Sequence, residues 1–272
     1  MYKKKSLGQH FLQSAAYLRA VADAAGIEKN LPAGRQGELV LEIGPGEGAL
    51  TAELLARGAH VIAIEKDHRL IAVLTEKFAK EIANKKFALL EGDALWIDIS
   101  IHILKSKKYK VVGNIPYYIT GALIRKYLTE KHQPTMLVFL VQKEVAERIT
   151  GHPSTPLRVT KESILSLSVK AYGTPVYVKT VPRGAFAPAP SVDSAILLVK
   201  NISRKNFVNT KNEGKFFTLV KAGFAQKRKL LKRNIEKVLG NKTTELMEKA
   251  GIPAQARAED VALEAWLLLS KY

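Results

Sequence analysis

The residues best suited to chemistry follow apolar runs that have the composition of β-strands. Gly44, Gly46 and Gly48 come directly after the run Leu39–Ile43. Glycine lacks a Cβ and tolerates positive φ, so a turn of this kind lets the backbone approach a ligand closely. The spacing predicts a site for a nucleotide-like cofactor. It also satisfies the dinucleotide fingerprint of dehydrogenases, and an ordinary tight turn between a strand and a helix is a further alternative.

Carboxylates stand at the ends of the next two predicted strands. Glu65 closes His60–Glu65, where a carboxylate can accept hydrogen bonds from both hydroxyls of a ribose. Asp93 follows Phe87–Glu91 and can accept a hydrogen bond from the amine of an adenine ring. A helix cap or a surface carboxylate is the alternative for each. Because ligands bind beyond the carboxyl ends of strands in an open α/β sheet, we expect these residues to line one pocket.

The fourth predicted strand, Lys110–Gly113, runs into Asn114-Ile115-Pro116-Tyr117. The lone pair of an adenine amine is delocalised into the ring, so a catalyst must hold the nitrogen in a geometry that localises it. The side-chain carbonyl of Asn114 and a backbone carbonyl of Ile115 or Pro116 can each accept one amine hydrogen. Tyr117 can stack on the base. The pattern favours transfer of an electrophilic methyl to the amine, although a structural loop with Asn as a helix cap is the alternative.

Charge and composition narrow the partners. The chain has 272 residues, with 43 Lys and Arg against 25 Asp and Glu, so its formal net charge is +18. Such an excess attracts a polyanion, and nucleic acid is the first partner to consider. The absence of cysteine excludes disulfides, thiolate zinc sites and a cysteine nucleophile, and the six histidines show no paired ligand spacing. We therefore expect no metal.

The chain also lacks sequence features of a membrane protein. No apolar run approaches the roughly 20 residues that span a bilayer. The basic N-terminus leads into Gly8-Gln9-His10 and not into an apolar signal core. We expect a soluble, cytoplasmic protein that acts as a monomer.

Apolar runs that alternate with stretches of helical period predict an α/β fold with one doubly wound, mostly parallel sheet of about seven strands. After Lys200 the strand signals end, and four helices are predicted. We expect a first domain over residues 1–200 and a small helical domain over 201–272. The remaining strands are predicted at Met136–Val141, Val176–Val181 and Ala195–Val199, and a helix is predicted at Arg69–Ala83 between the second and third strands. The C-terminal helices are predicted at Phe216–Phe224, Lys227–Leu239, Thr243–Ala250 and Asp260–Leu269.

Five sequence motifs together resemble the ribosomal RNA adenine dimethyltransferase family, in an order and spacing that run almost end to end. The resemblance implies a Rossmann-like class I methyltransferase fold, S-adenosylmethionine as cofactor, and dimethylation of two adjacent adenosines in a hairpin loop near the 3′ end of small-subunit ribosomal RNA, with a role in subunit biogenesis. The motifs are Gly8-Gln9-His10-Phe11-Leu12, Glu42-Ile43-Gly44-Pro45-Gly46, Asn114-Ile115-Pro116-Tyr117, Gln142-Lys143-Glu144-Val145 and Phe186-x-Pro188-x-Pro190-x-Val192-Asp193-Ser194.

The resemblance also implies roles for individual residues. Phe186 is expected to present its ring to the target base opposite Tyr117, although a core phenylalanine is the alternative. Asn114 is expected to lie between cofactor and substrate. The implied catalytic residues are Asn114, Pro116, Tyr117 and Phe186, and the implied cofactor-binding residues are His10, Leu12, Gly44, Glu65, Asp93 and Asn114.

Basic residues cluster in the predicted helical domain. Residues three and four apart share a helix face, so Lys229, Lys232 and Arg233 are predicted to form one phosphate-binding stripe. A solvated helix face is the alternative. The residues implied in RNA binding are Lys227, Arg228, Lys229, Lys232 and Arg233, and Lys3, Lys4 and Lys5 add charge at the N-terminus.

Other functions remain open on sequence alone. The first is methylation of a large-subunit adenosine, as in the antibiotic-resistance methylases. The second is an RNA-binding assembly factor on the same fold without catalysis, against which the intact Gly44, Glu65, Asp93 and Asn114-Ile115-Pro116-Tyr117 argue. A nicotinamide dehydrogenase is a third and remote alternative.

Overall fold

The computed structural model describes residues 10–27, 37–100, 108–151 and 161–272. The predicted contribution of Lys3, Lys4 and Lys5 lies outside these ranges. In the described part of the chain, no helix combines the length and the apolar composition needed to cross a membrane.

Seven strands form one sheet, as the sequence predicts. The strand bounds agree with the predicted ones to within two residues, because β-branched and apolar runs are local signals. The central strands are buried, whereas the edge strand Thr174–Val181 is mostly exposed or half-buried. Two short strands outside this sheet are β1 (Phe11–Leu12) and β8 (Phe186–Ala187). The strands of the sheet are β2 (Leu39–Ile43), β3 (His60–Glu65), β4 (Phe87–Glu91), β5 (Lys110–Asn114), β6 (Met136–Gln142), β7 (Thr174–Val181) and β9 (Ser194–Lys200).

The order of the strands is β4, β3, β2, β5, β6, β9, β7. The pairs from β4 through β6 are parallel, whereas β6 and β9 are antiparallel. The chain adds β3 and β4 on one side of β2 and then returns to add β5 on the other side. The carboxyl ends of β2 and β5 therefore meet where the direction of winding reverses, which is where ligands bind in open α/β sheets.

Helices follow most strands. The predicted helix Arg69–Ala83 is divided into α3 and α4 by Phe78, whose ring is buried between them and the sheet. Asp67 caps α3 by accepting a hydrogen bond from the Arg69 N–H at 3.2 Å. The α-helices of the described ranges are α1 (Ala15–Ala24), α2 (Ala49–Ala56), α3 (His68–Lys77), α4 (Ala79–Ala83), α5 (Thr120–Thr129), α6 (Lys143–Thr150), α7 (Ile164–Tyr172), α8 (Thr210–Gly223), α9 (Leu231–Leu239), α10 (Thr243–Lys249) and α11 (Leu263–Ser270).

A second, two-stranded sheet joins distant parts of the chain. The strand β1 (Phe11–Leu12) pairs antiparallel with β8 (Phe186–Ala187), so that Leu12 lies opposite Phe186. The N–H of Gln13 extends the pairing by donating to the Ala185 carbonyl at 3.0 Å. This pairing fixes the N-terminal segment beside the loop that precedes β9.

The chain forms two compact units. The first comprises residues 1–146 and 176–202, and the second comprises residues 147–175 and 203–272. The sequence predicted a single boundary at residue 200. The segment 147–175, which contains α7, thus belongs with the C-terminal helices and not with the sheet.

The second unit has its own core, in which Phe216 and Trp266 are completely buried. Its helix α9 begins at Leu231 and not at Lys227 as predicted. Residues 224–228 instead form turns, and the side-chain amide of Asn234 donates to the carbonyls of Gly223 (2.6 Å) and Gln226 (3.1 Å). These bonds satisfy a carbonyl at the end of α8 and one in the turn that follows it, and Lys229 lies after this turn and before α9.

Candidate active site

A cavity of about 350 Å³ opens at the carboxyl ends of β2, β3, β4 and β5. Its volume lies in the usual range for sites that bind small molecules. The sequence-predicted residues His10, Leu12, Gly44, Glu65, Asp93, Asn114, Pro116 and Tyr117 all line it, together with Glu42, Lys66, Tyr118 and other residues.

The glycine turn after β2 has the conformation that only glycine adopts without strain. Gly44 and Gly46 have φ values of +67° and +60°. The N–H of Gly44 donates to the Ile64 carbonyl at 2.9 Å, which joins the end of β2 to β3. A Cβ at Gly44 would meet only the Asn114 backbone oxygen, at 3.9 Å, so the space that a side chain would fill stays open to the cavity.

The Glu65 carboxylate is buried and held by the backbone. One oxygen accepts a hydrogen bond from the Gly46 N–H at 3.2 Å, and the other accepts one from the Asp67 N–H at 2.8 Å. Burial raises the pKa of Glu65, and the two backbone donors oppose that rise. Each carboxylate oxygen has a second lone pair, so the group can still accept hydrogen bonds from a diol in the cavity.

Asp93 follows β4 and is bound on both oxygens. Oδ1 accepts from the Leu95 N–H at 2.9 Å, and Oδ2 accepts from the Lys66 ammonium at 2.8 Å. Partial burial raises the pKa of Asp93, but the hydrogen bonds and the Lys66 charge outweigh it and hold the pKa below its usual range. Asp93 is therefore an ionised acceptor at neutral pH. Lys66 was not predicted from the sequence, because nothing in the local pattern places a lysine after β3 against the end of β4.

Asn114 ends β5 and is oriented by the N-terminal segment. Its amide nitrogen Nδ2 donates to the His10 backbone carbonyl at 2.8 Å. The nitrogen is thereby engaged, and Oδ1 is the atom available to accept a hydrogen bond from a ligand. The His10 ring is fixed in turn, since its Nδ1–H donates to the Pro188 carbonyl at 2.8 Å.

Tyr117 begins the turn after Pro116 and is half-buried. Its hydroxyl shares a hydrogen bond of 2.5 Å with the Oγ of Ser194, which is completely buried. The ring lies 6.3 Å from the His10 ring at an angle of 23°. Burial raises the pKa of Tyr117, so the hydroxyl stays protonated at neutral pH. Ser194 ends the motif that begins at Phe186, and only the structure gives it a partner.

Phe186 does not line the cavity in this conformation. It is 5% exposed and belongs to the hydrophobic core with Val181 and Ile196. The backbone of Phe186 pairs with that of Leu12, which does line the cavity. Phe186 therefore lies behind the cavity wall that Leu12 forms. The ring would have to leave the core to reach a base, and its contact with substrate stays a prediction.

Glu42 is a buried carboxyl that entered the sequence prediction only as part of a motif. It is 1% exposed, lines the cavity, and accepts a hydrogen bond from the Thr51 hydroxyl at 2.7 Å. Burial raises the pKa of Glu42 to about 7, with a smaller contribution from the charge of Glu65. The composition of the strand could have predicted a buried acid here, since Val40, Leu41 and Ile43 are apolar.

The five basic residues lie on the second unit. Lys227, Arg228, Lys229 and Arg233 are exposed and Lys232 is partly exposed, and none forms an ion pair with a residue that the structure describes. Lys229 precedes α9, so the prediction that it shares a helix face with Lys232 and Arg233 is wrong. In the described ranges, no group of three or more acidic or histidine side chains is arranged to hold a metal ion.

A family model described as ribosomal RNA adenine dimethylase matches residues 1–272 of this chain. A protein from Dehalococcoides mccartyi named ribosomal RNA small subunit methyltransferase A is 38% identical over 269 residues, covering 98% of this chain and 87% of the relative. A protein of the same name from Nostoc punctiforme is 36% identical over 277 residues, covering 98% of this chain and 93% of the relative.

Solved structures of two enzymes share the fold over nearly the whole chain. A dimethyladenosine transferase from Plasmodium falciparum has a TM-score of 0.72 and 25% identity, covering 96% of each chain. The 23S rRNA methyltransferase ErmE has a TM-score of 0.73 and 24% identity, covering 96% of this chain and 98% of its own. The similarity to ErmE shows only that the two chains share a fold.

Proposed function

This chain belongs to the ribosomal RNA adenine dimethylase family, and we propose that it dimethylates two adjacent adenosines in a hairpin loop near the 3′ end of small-subunit ribosomal RNA. The activity of the family is S-adenosylmethionine-dependent dimethylation of adenine in ribosomal RNA. The observation that carries the proposal is that Asn114 and Tyr117 line the same cavity as Gly44, Glu65 and Asp93. A protein that only binds RNA has no need of this arrangement.

The cavity fits S-adenosylmethionine. The open space at Gly44 admits a ligand close to the backbone, and the buried Glu65 carboxylate offers acceptors for the two ribose hydroxyls. Asp93 offers an ionised acceptor for the adenine amine. Its Oδ2 accepts one hydrogen bond from Lys66 and can accept a second one from the ligand. His10 and Leu12 border the same space. When bound, the cofactor supplies an electrophilic methyl on a sulfonium.

Asn114 positions the target amine in this proposal. Because Nδ2 donates to the His10 carbonyl, Oδ1 faces a ligand as an acceptor and takes one amine hydrogen. A backbone carbonyl of Ile115 or Pro116 takes the other, and the lone pair is then aimed at the methyl. These acceptors would also stabilise the positive charge that develops on nitrogen as the N–C bond forms and the S–C bond of the sulfonium breaks, after which the nitrogen would release a proton to water.

Tyr117 holds the flipped base by stacking. The bond of its hydroxyl to the buried Ser194 fixes the direction of the side chain before the substrate arrives, and the ring lies at 23° to the His10 ring, so little side-chain entropy is lost when the base binds. Phe186 would complete the clamp only after a change in its side-chain position. Lys227, Arg228, Lys229, Lys232 and Arg233 bind phosphates of the RNA, and the enzyme acts as a monomer.

Mapping of methylated adenosines tests the proposed substrate. Ribosomal RNA from cells with and without the gene is expected to differ at two adjacent adenosines near the 3′ end of the small-subunit RNA. A difference confined to the large-subunit RNA would contradict the choice of subunit and leave the chemistry intact.

The variant Asn114→Ala tests the site. We expect the single-turnover rate of methyl transfer to fall roughly 100-fold, because one preorganised acceptor is removed, with little change in RNA affinity. The matched control is Asn84→Ala, at an exposed position after α4 that does not line the cavity. A normal single-turnover rate in Asn114→Ala would falsify the role of the amide.

A further inference from the structure

Trp96 is 84% exposed, although an indole has one of the largest apolar surfaces of any side chain. The other tryptophan, Trp266, is completely buried. A single exposed apolar residue is common on soluble proteins, so exposure alone decides nothing. The position of Trp96 is what distinguishes it.

The turn that carries Trp96 is anchored directly beside the cavity. The N–H groups of Trp96 and Ile97 both donate to the Asp93 carbonyl at 2.9 Å, and the Ile97 side chain packs against Gly92. Asp93 and Ala94 line the cavity. The turn is therefore held at the cavity edge while the indole stands in solvent.

Tyr118 lies at the same edge. It is 69% exposed and lines the cavity immediately after Tyr117. The Lys66 ammonium bonds to Asp93 at 2.8 Å, which raises the pKa of Lys66, and the nearby Tyr118 phenol makes a smaller contribution in the same direction. We call Trp96 and Tyr118 the aromatic rim. Among the described residues, the only other large aromatic side chain with comparable exposure is Tyr272 at the C-terminus.

We propose that the aromatic rim stacks on the unpaired RNA bases that flank the target adenosine. This inference rests on the proposed function, because it requires an RNA substrate whose adenosine enters the cavity. When a base is flipped out, its neighbours lose a stacking partner, and aromatic side chains replace that partner. Every base has a π-face, so the rim binds the flanking nucleotides with little regard to sequence.

Tryptophan fluorescence tests the contact directly, because only one of the two indoles is accessible. Titration with a hairpin RNA that has two adjacent adenosines in its loop is expected to quench the emission and to shield it from acrylamide. In Trp96→Phe the remaining emission comes from the buried Trp266 and is expected not to respond to the RNA. An unchanged wild-type emission at saturating RNA would overturn the contact at Trp96.

Steady-state kinetics test the role. Trp96→Ala and Tyr118→Ala are each expected to raise the KM for RNA about tenfold, as the removal of one stacked ring predicts. Trp96→Phe and Tyr118→Phe retain a stacking ring and are expected to stay near the wild-type KM. Tyr272→Ala, which removes an exposed ring elsewhere, is the matched control. The KM for S-adenosylmethionine is expected not to change in Trp96→Ala or Trp96→Phe, because Trp96 does not line the cavity.

The outcomes separate the two proposals. If the wild-type enzyme methylates small ribosomal subunits that lack the modification but Trp96→Ala and Tyr118→Ala keep its KM for them, the rim is idle and only this inference fails. A rise in the KM for S-adenosylmethionine in Trp96→Ala, with an unchanged KM for RNA, would mean that the indole covers the cofactor and not the RNA, which also overturns the inference. If the wild-type enzyme methylates no small-subunit adenosine, the proposed function fails first.

Discussion

Glu42, Glu65 and Asp93 are three carboxyls in one cavity with three different environments. Glu42 is buried with one hydroxyl donor, Glu65 is buried with two backbone donors, and Asp93 is partly exposed beside an ammonium. Burial penalises the charged form and donors favour it, so the pKa of Glu42 rises to about 7 while that of Asp93 falls. A cationic cofactor would find Asp93 ionised and Glu42 partly protonated.

The raised pKa of Glu42 predicts a pH-dependent stability. Between pH 4.5 and about 7 the folded protein retains a proton on Glu42 that the unfolded chain releases, so the free energy of unfolding falls as pH rises. Each unit of pKa difference corresponds to about 1.4 kcal/mol, so the decrease amounts to roughly 3 kcal/mol. In Glu42→Gln this decrease is absent. In urea unfolding without cofactor, the free energy of unfolding of the variant relative to that of the wild type is therefore expected to rise from pH 5 to pH 8.

The exposed Glu76→Gln on α3 serves as the control for removal of one carboxylate. The difference in the free energy of unfolding between Glu76→Gln and the wild type is expected to stay nearly constant from pH 5 to pH 8. A constant difference for Glu42→Gln as well would show that Glu42 ionises normally.

At the scale of elements, the two-stranded sheet β1–β8 supplies one wall of the site. The pairing holds His10 and Leu12 at the cavity, and the His10 carbonyl orients Asn114. The glycine turn after β2 meets this wall, because a Cβ at Gly46 would lie only 2.7 Å from the Phe11 ring. The site therefore depends on a close approach between a turn and a strand about 35 residues apart.

The variant Gly46→Ala tests this approach. The added methyl would strain a backbone with φ of +60° and displace Phe11, and with it the adjoining His10 and Leu12. We expect a lower unfolding temperature and a KM for S-adenosylmethionine raised about tenfold, since strain of roughly 1–3 kcal/mol is placed on the cofactor side of the cavity.

Gly251→Ala provides the control for the backbone alone. Gly251 has φ of +66°, and nothing lies within 4 Å of its potential Cβ. That variant is expected to be somewhat less stable but to keep its KM for the cofactor. Equal kinetics in the two variants would rule out the contact with Phe11 as the cause.

At the scale of the whole molecule, the net charge of +18 is the feature that suits an RNA substrate. The exposed Lys227 and Lys229 belong to the turn between α8 and α9, and not to a continuous helix. A turn presents side chains in several directions, so these lysines can contact phosphates without sharing a helix face with Arg233. The proposal that these lysines bind RNA therefore does not depend on the predicted helix.

Salt dependence measures how many phosphates these lysines neutralise. Replacing Lys227 and Lys229 by Gln is expected to weaken RNA binding and to reduce the slope of log affinity against log salt concentration by about 2, one for each phosphate that is no longer neutralised. Replacing the equally exposed Lys80 and Lys86 of the first unit by Gln removes the same charge and should change the slope much less. Equal slopes in the two double variants would show that only net charge matters.

The sequence by itself determined the seven strands, the glycine turn, and the acids and amide at the strand ends, because apolar runs and turn residues are local signals. It also determined the family through motifs such as Asn114-Ile115-Pro116-Tyr117. It predicted neither the start of α9 nor the division of Arg69–Ala83, since tertiary hydrogen bonds and packing override local helical period there.

Only the tertiary structure decided how the site residues are oriented and which of their carboxyls are ionised. The bond from Asn114 to His10, the anchoring of Tyr117 by Ser194, the pairing of Lys66 with Asp93 and the burial of Phe186 all join segments far apart in the chain. Local periodicity tells which face of an element is apolar but not which distant segment will cover it. For that reason the site could be located from the sequence, whereas its geometry and its proton affinities could not.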